Sequence, residues 1–211
     1  MTKAVPGFVK TLYRNIRMRT RYSRGNRLGR RIRFSRDTVM GSGCVIGNDV
    51  VFGTGVRLGN TVTIGAGAVI ERMEVGDNSV VEGRVIITGH GEGRIKIGRE
   101  SFIGHNTILD FSDDITIGDF VHVGYNQFWT HSSAMQALNG IPLSDKDKRF
   151  RPTSPVVIEN NVYVGVHSTI YPGVTIRHHS IIAPNSAVTK DVDSYTMAGG
   201  APARFIKSLK D

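Results

Sequence analysis

Large apolar residues recur every six positions through most of this chain. They fall at Leu28, Phe34, Met40, Ile46, Phe52, Leu58, Ile64 and Ile70 and, after a slip of one residue, at Val75, Val81 and Ile87. The series restarts at Ile97, Ile103 and Leu109, again at Ile117, Val123 and Trp129, and last at Ile158, Val164, Ile170, Ile176, Ile182 and Val188. Four residues after most of the early members stands a smaller or β-branched residue, as at Ile32, Thr38, Cys44, Val50, Val56, Val62 and Ala68. Neither a helical period of 3.6 nor a strand period of 2 produces this spacing. One short strand plus one corner, repeated, does produce it, and that is the unit of a β-helix. Of the 25 glycines, 12 directly follow the large apolar residue. A side chain there would meet the next corner or the neighbouring coil.

The period breaks in three places. Residues 89–94 and 111–116 read as corners that bulge outward. The long break, 132–157, carries mixed charge, Gly140 and the prolines Pro142, Pro152 and Pro155, which mark an excursion from a corner. A solenoid core filled by its own Ile, Val and Leu holds no ligand, so chemistry is expected on the outside, at the breaks.

Before the repeat, residues 7–21 place Phe8, Leu12 and Ile16 on one helical stripe, with Val9 and Tyr13 beside it and basic residues around the rest. The division expected is a basic amphipathic arm at 1–27, the β-helix at 28–193, and a tail at 194–211. In the tail, Pro202 opens a short basic helix that caps the last coil.

Charge changes the picture at one end only. The net charge is +9, yet residues 1–36 hold 12 Lys or Arg and no acid, while the rest carries 15 basic against 18 acidic groups. The arm can pack on the base of the β-helix or on a neighbouring subunit, or lie on an anionic membrane surface. No base-reading motif accompanies it, so nucleic acid is not expected. Cys44, alone and on an inward position, reads as a buried small hydrophobe in a chain from a reducing compartment. There is no apolar run near 18 residues and no secretory h-region, which makes the cytoplasm, at most its membrane face, the expected location.

The segments Trp129-Thr130-His131, VVIENNVYVGVHSTIYPGVTI, IIAPNSAVTKDV and AGGAPARFI together span roughly residues 97–207. In them the chain resembles the hexapeptide-repeat acyltransferases of the galactoside/maltose and polysaccharide O-acetyltransferase group. The resemblance implies an all-β, left-handed parallel β-helix with three hexads to a triangular coil. The 23 hexads then give between seven and eight coils, about 35 Å tall at ~4.8 Å per coil.

It also implies acetyl-CoA as co-substrate, no metal, and a homotrimer whose sites use residues of two chains. His131, next to the protruding loop, takes the family's general-base position. That role suits the chemistry, because a hydroxyl attacking a thioester must lose its proton, and imidazole accepts it near neutral pH. One coil below His131 stands Asp110, where the repeat prefers glycine; it orients His131, binds an acceptor hydroxyl, or is a solvated corner. Asn106 matches an acceptor-binding asparagine of the galactoside enzymes. Trp129, read as inward-facing, is a platform for a sugar face or the filler of a wide corner.

For CoA, the resemblance points to Gly165, Val166, Ala183 and Pro184 along the pantetheine arm. Thr189, Lys190, Arg204 and Lys207 would meet the nucleotide phosphates. Val166 and Pro184 depart from the family's usual small residues. The other histidines, His90, His105, His122, His167, His178 and His179, stand at outward positions or corners, with His105 and His122 as reserve candidates.

The activity expected is acetyl transfer to a hydroxyl, secondarily an amine, of a sugar or of a polysaccharide or glycolipid intermediate. Two rivals stay open: acyl transfer from acyl carrier protein, and a non-catalytic scaffold. A zinc hydratase would need three converging histidines, and a sugar nucleotidyltransferase would need a preceding nucleotide-binding domain.

Overall fold

A computed structural model describes residues 15–18, 21–22, 25–142, 144, 147 and 149–210. Most of its strands are two residues long, and three parallel sheets run the length of the chain. From Val39–Met40 to Ala187–Val188 the strands visit the sheets in strict rotation, and the bridges Arg33–Val51 and Ile176–Val192 continue it at the two ends, so the architecture is a triangular β-helix with three faces and three edges. In each short strand the second residue turns inward: Ile46, Ile64, Val81, Ile103, Val123, Val164 and Ile182 stack in register up the first face. The smaller member of each hexad fills the corner, as Cys44, Val50, Val56, Val62 and Ala68, all buried. Burial pushes the Cys44 thiol pKa up. Where coils approach most closely only glycine fits: a Cβ on Gly65 would lie 2.1 Å from the Gly83 nitrogen.

The first face carries nine parallel strands, more than the seven to eight coils expected: Arg27–Leu28 is the first member of the periodic series, and Thr196–Gly199 extends the stack beyond its last member, Val188. Three other expectations change. The inward residue of strand Gln127–Phe128 is Phe128, which lies opposite Leu109 and Ile170; Trp129 is half-buried at the corner that follows. The step from Val123 to Phe128 is five residues, shortened by a turn in which the Asn126 side chain accepts the Gly124 N–H at 2.6 Å.

The tail is not helical. Arg204–Ser208 is a strand, antiparallel to Thr196–Gly199. A parallel stack ends on an unpaired row of backbone groups, and a returning strand satisfies them where a helix cannot.

Of the apolar stripe expected in the arm, Phe8, Val9, Leu12 and Tyr13 lie outside the described residues, and Ile16 is 57% exposed. Met18 and Tyr22 face the core instead. Their register is set by a hydrogen bond from the Tyr22 hydroxyl to the Thr38 carbonyl (2.9 Å) and by the Tyr22, Phe34 and Phe52 rings, which follow one another into the first coils.

Candidate active site

All three breaks in the period lie on one edge. They follow the second-face strands Ile86–Thr88, Ile108–Asp110 and Gln127–Phe128 and precede the third-face strands Ile95–Ile97, Ile115–Ile117 and Val156–Ile158. These are consecutive coils, so the extra residues stack on one another and build a cleft of about 550 Å³. It is lined by His90, Gly91, Glu92, Ser112, His131, Arg151 and Thr153. The lowest bulge fits under the next because it is glycine-rich. Gly89, at φ +122°, would carry a Cβ only 2.5 Å from Asp110 Oδ1.

Asp110 ends its strand with its side chain fully buried. Its Oδ2 accepts from His131 Nδ1 at 2.6 Å, from the Thr130 N–H at 2.9 Å and from the Thr130 hydroxyl at 3.0 Å. Its Oδ1 accepts from the Ser112 hydroxyl at 2.8 Å and, more weakly, from the Ser112 N–H at 3.2 Å. Burial alone would raise the Asp110 pKa; the hydrogen bonds from His131, Thr130 and Ser112 outweigh it and hold the carboxyl below its ordinary value. An ionised carboxylate against Nδ1 fixes the imidazole with its proton on Nδ1, which leaves Nε2 as the acceptor.

The long excursion is pinched at its base. His131 bridges Thr153 in antiparallel fashion, the Ser132 N–H donates to the Pro152 carbonyl (3.2 Å) and the Ser154 N–H to the Thr130 carbonyl (2.8 Å). Inside the excursion, the short helix Ala134–Leu138 is tied down by buried Gln136, whose amide donates to the Pro142 carbonyl at 2.8 Å. Trp129 stands edge-on to His131, with ring centroids 6.2 Å apart, and donates from Nε1 to Gln127 at 3.1 Å. The structure thus gathers His131, Asp110 and Trp129 on one edge, with Ser112, Thr130, His90, Glu92, Arg151 and Thr153 around them.

The remaining candidates lie elsewhere on the same chain. Asn106 is exposed on the edge between the first and second faces, and its φ of +54° gives asparagine a backbone reason to be there. Gly165, Val166, Ala183 and Pro184 occupy that edge too. Gly165 and Ala183 have their main-chain groups engaged within the solenoid: Gly165 donates to Ile182 and accepts from Asn126, while Ala183 donates to Ala198 and accepts from Ser168 and Ser186. A ligand along this edge would meet the exposed Val166 and Pro184.

Thr189 and Lys190 share the edge of His131, two coils further on, and both are exposed. Lys190 and Arg204 line a second hollow of about 130 Å³ beside Asp191 and Asp193, and Lys207 is exposed on the last strand. His122 projects from the first face, and His105 stands at the edge between the first and second faces. Together they line an apolar hollow of about 240 Å³ with Phe102, Tyr125, Tyr163 and Val166, away from His131.

Comparison with known proteins agrees with the β-helical fold. The family model described as "Bacterial transferase hexapeptide (six repeats)" matches residues 37–72 and 155–190. Galactoside O-acetyltransferase of Escherichia coli K12 is 33% identical over 139 residues, 65% of this chain and 64% of its own length. A hexapeptide-repeat acetyltransferase of Vibrio cholerae O1 biovar eltor, solved in complex with acetyl coenzyme A, is 34% identical, with a TM-score of 0.55 over 66% of this chain and 72% of that one. The N-acyltransferase AntD of Bacillus cereus, solved with dTDP and 3-hydroxybutyryl-CoA, shares the fold at 18% identity and a TM-score of 0.52, over 92% of this chain and 88% of its own.

Proposed function

Because the chain belongs to the bacterial hexapeptide-repeat transferase family, we propose that it moves an acetyl group from acetyl-CoA to a hydroxyl of a sugar or glycolipid intermediate. The observation that carries this reading is the 2.6 Å contact between His131 Nδ1 and buried, ionised Asp110. A scaffold gains nothing from a carboxylate sealed under five donors, since burying a charge costs free energy that apolar packing would not.

Acetyl-CoA supplies an activated acyl carbon. His131 Nε2 removes the acceptor hydroxyl proton as that oxygen bonds to the acyl carbon. The carbon–sulfur bond then breaks, and the imidazolium returns the proton to the departing sulfur. The products are the acetyl ester and free CoA thiol, so no nucleophile on the enzyme is required. Asp110 is a positioning residue: it fixes the tautomer and stabilises the imidazolium. Glu92 and Arg151, in the same cleft, offer a carboxylate and a guanidinium to the acceptor's other hydroxyls.

CoA binding suits two groups of residues on different edges: Val166 and Pro184 on one, Lys190 with Arg204 near another. An edge carrying His131 facing the Val166 edge of a neighbouring copy supplies both halves of a site. A closed ring of copies uses every edge of this kind once, and the family's usual ring is a homotrimer.

The test is thiol release from acetyl-CoA against a panel of sugars, with wild type and His131→Ala. Loss of a general base should lower the rate roughly 10²–10⁴-fold with CoA binding retained. Undiminished turnover would place the base elsewhere, and absence of CoA binding in the wild type would restore the scaffold reading.

A further inference from the structure

We propose that the N-terminal end of the β-helix docks end-on to an anionic lipid bilayer. The first coil carries a collar of arginines. Arg27 projects from the first face and Arg33 from the second, Arg30 and Arg31 stand at the edge between them, and Arg36 stands at the next edge; all five are exposed. Of these five, only Arg31 has a carboxylate partner among the described residues, Asp49. No acid precedes Asp37 in the chain.

The end of the prism adds to the collar. Helical residues 15–18 and 21–22 turn Met18 and Tyr22 into the core, which leaves Arg17, Arg21 and the Ile16 side chain exposed. Arg21 lies over the Tyr22 ring, 5.2 Å from its centroid. Cations and an exposed apolar side chain therefore share one end of the molecule, while the remainder of the chain is close to neutral.

The arrangement decides the partner. Because the cations lie on two faces and two edges of a single coil, a plane perpendicular to the solenoid axis brings all of them to the charged surface together. Screening confines that attraction to about 8 Å at physiological ionic strength. A nucleic-acid duplex is a rod and would reach the cations of one side only. A second copy docked end to end would set like charges against like. An anionic leaflet meets all of these cations, and each basic residue near such a surface raises partitioning about fivefold.

On the second face, five coil steps separate Arg33 from Gln127–Phe128 and the edge that bears His131. Docking therefore holds the cleft roughly 24 Å above the headgroups. On the acetyl-transfer reading, on which this consequence alone rests, such a height suits a glycan borne on a lipid.

The experiment sediments the full chain with vesicles of phosphatidylglycerol and phosphatidylcholine, or of phosphatidylcholine alone, and requires no turnover. The wild type should pellet only with the anionic vesicles and should be released at about 0.5 M salt, where screening is short-ranged. The variant R27Q/R30Q/R33Q/R36Q, checked for an unchanged circular dichroism melt, should lose on the order of 10²–10³-fold in partitioning. A single-charge series of Arg27→Gln, Arg30→Gln, Arg33→Gln and Arg36→Gln should divide that loss into comparable steps and covers the case in which the fourfold variant does not fold. Three results would overturn the proposal: equal pelleting of wild type and variants, no pelleting of the wild type with anionic vesicles at low salt, or a short DNA duplex that displaces the protein from the vesicles.

Discussion

Replacing Asp110 by asparagine separates two ways in which a carboxylate can assist His131. Asparagine keeps the shape but offers one acceptor oxygen in place of two. Both sides of Asp110 face a main-chain donor that cannot turn away: Thr130 N–H at 2.9 Å from Oδ2 and Ser112 N–H at 3.2 Å from Oδ1. The shorter and more crowded side is that of Thr130 and His131, so the amide oxygen should settle there and the amide NH₂ should face Ser112. Ser112 can accept that amide proton through its hydroxyl. The His131 tautomer is then preserved, and what disappears is the negative charge.

A hydrogen bond to an ionised partner contributes about 1.5–3 kcal/mol and a neutral one about 0.5–1.5 kcal/mol. The difference, roughly 1–1.5 kcal/mol, corresponds to a loss of about 5–15-fold in kcat/KM. The assay is thiol release under subsaturating acceptor, alongside CoA affinity, which should not change. A loss as large as that of His131→Ala would mean that the amide had turned its NH₂ to Nδ1, so that the main-chain donors do not dictate its orientation. A rate equal to wild type would remove Asp110 from the mechanism altogether.

Two further outcomes follow from the same cluster. Gly89→Ala places a methyl group 2.5 Å from Asp110 Oδ1 on a backbone at φ +122°; it should cost about 1–3 kcal/mol in urea unfolding and lower kcat without weakening CoA, and a silent substitution would mean the bulge at 89–94 is not held against Asp110. The pKa of folded Asp110 lies below its unfolded value, so its stabilisation is fully present above pH ~3.9 and is lost as pH falls through the folded value. The unfolding free-energy gap between wild type and Asp110→Asn should therefore narrow below that pH, and a gap constant down to pH ~2 would contradict it.

The repeat was legible because its cause is local and repeated: each inward residue is large, each corner residue small, and each tight approach a glycine. Where two residues satisfied the same rule, the period could not choose. Phe128 and Trp129 both suit an inward position, and the choice is made by Leu109 and Ile170 across the coils. The tail failed for a different reason. Arg204–Ser208 has residues that fit a helix, but the open ladder of Thr196–Gly199 is a tertiary demand with no trace in the local sequence.

His131 and Asp110 could be placed by coil counting, whereas His90, Glu92 and Arg151 could not be singled out. Their signal was the breaks themselves, which meet only when all three are assigned to the same edge. Ser112 gave no signal beyond its place in a break. The residues expected for the pantetheine arm and for the nucleotide phosphates stand on different edges of this chain.

The pinch at the foot of the long excursion has a consequence for how the cleft can change. The chain leaves at His131 and returns at Thr153, and those two residues are joined to each other. The entropic cost of closing a longer loop grows only with the logarithm of its length, about 0.6 kcal/mol per doubling. Residues between the two ends can therefore be inserted, deleted or exchanged while the ladders below and above keep His131 over Asp110. On the acetyl-transfer reading, acceptor choice and proton transfer are then mechanically insulated. This makes the excursion a natural cassette: grafting another sequence between Ser132 and Pro152 should redirect the enzyme to a new acceptor without rebuilding its base.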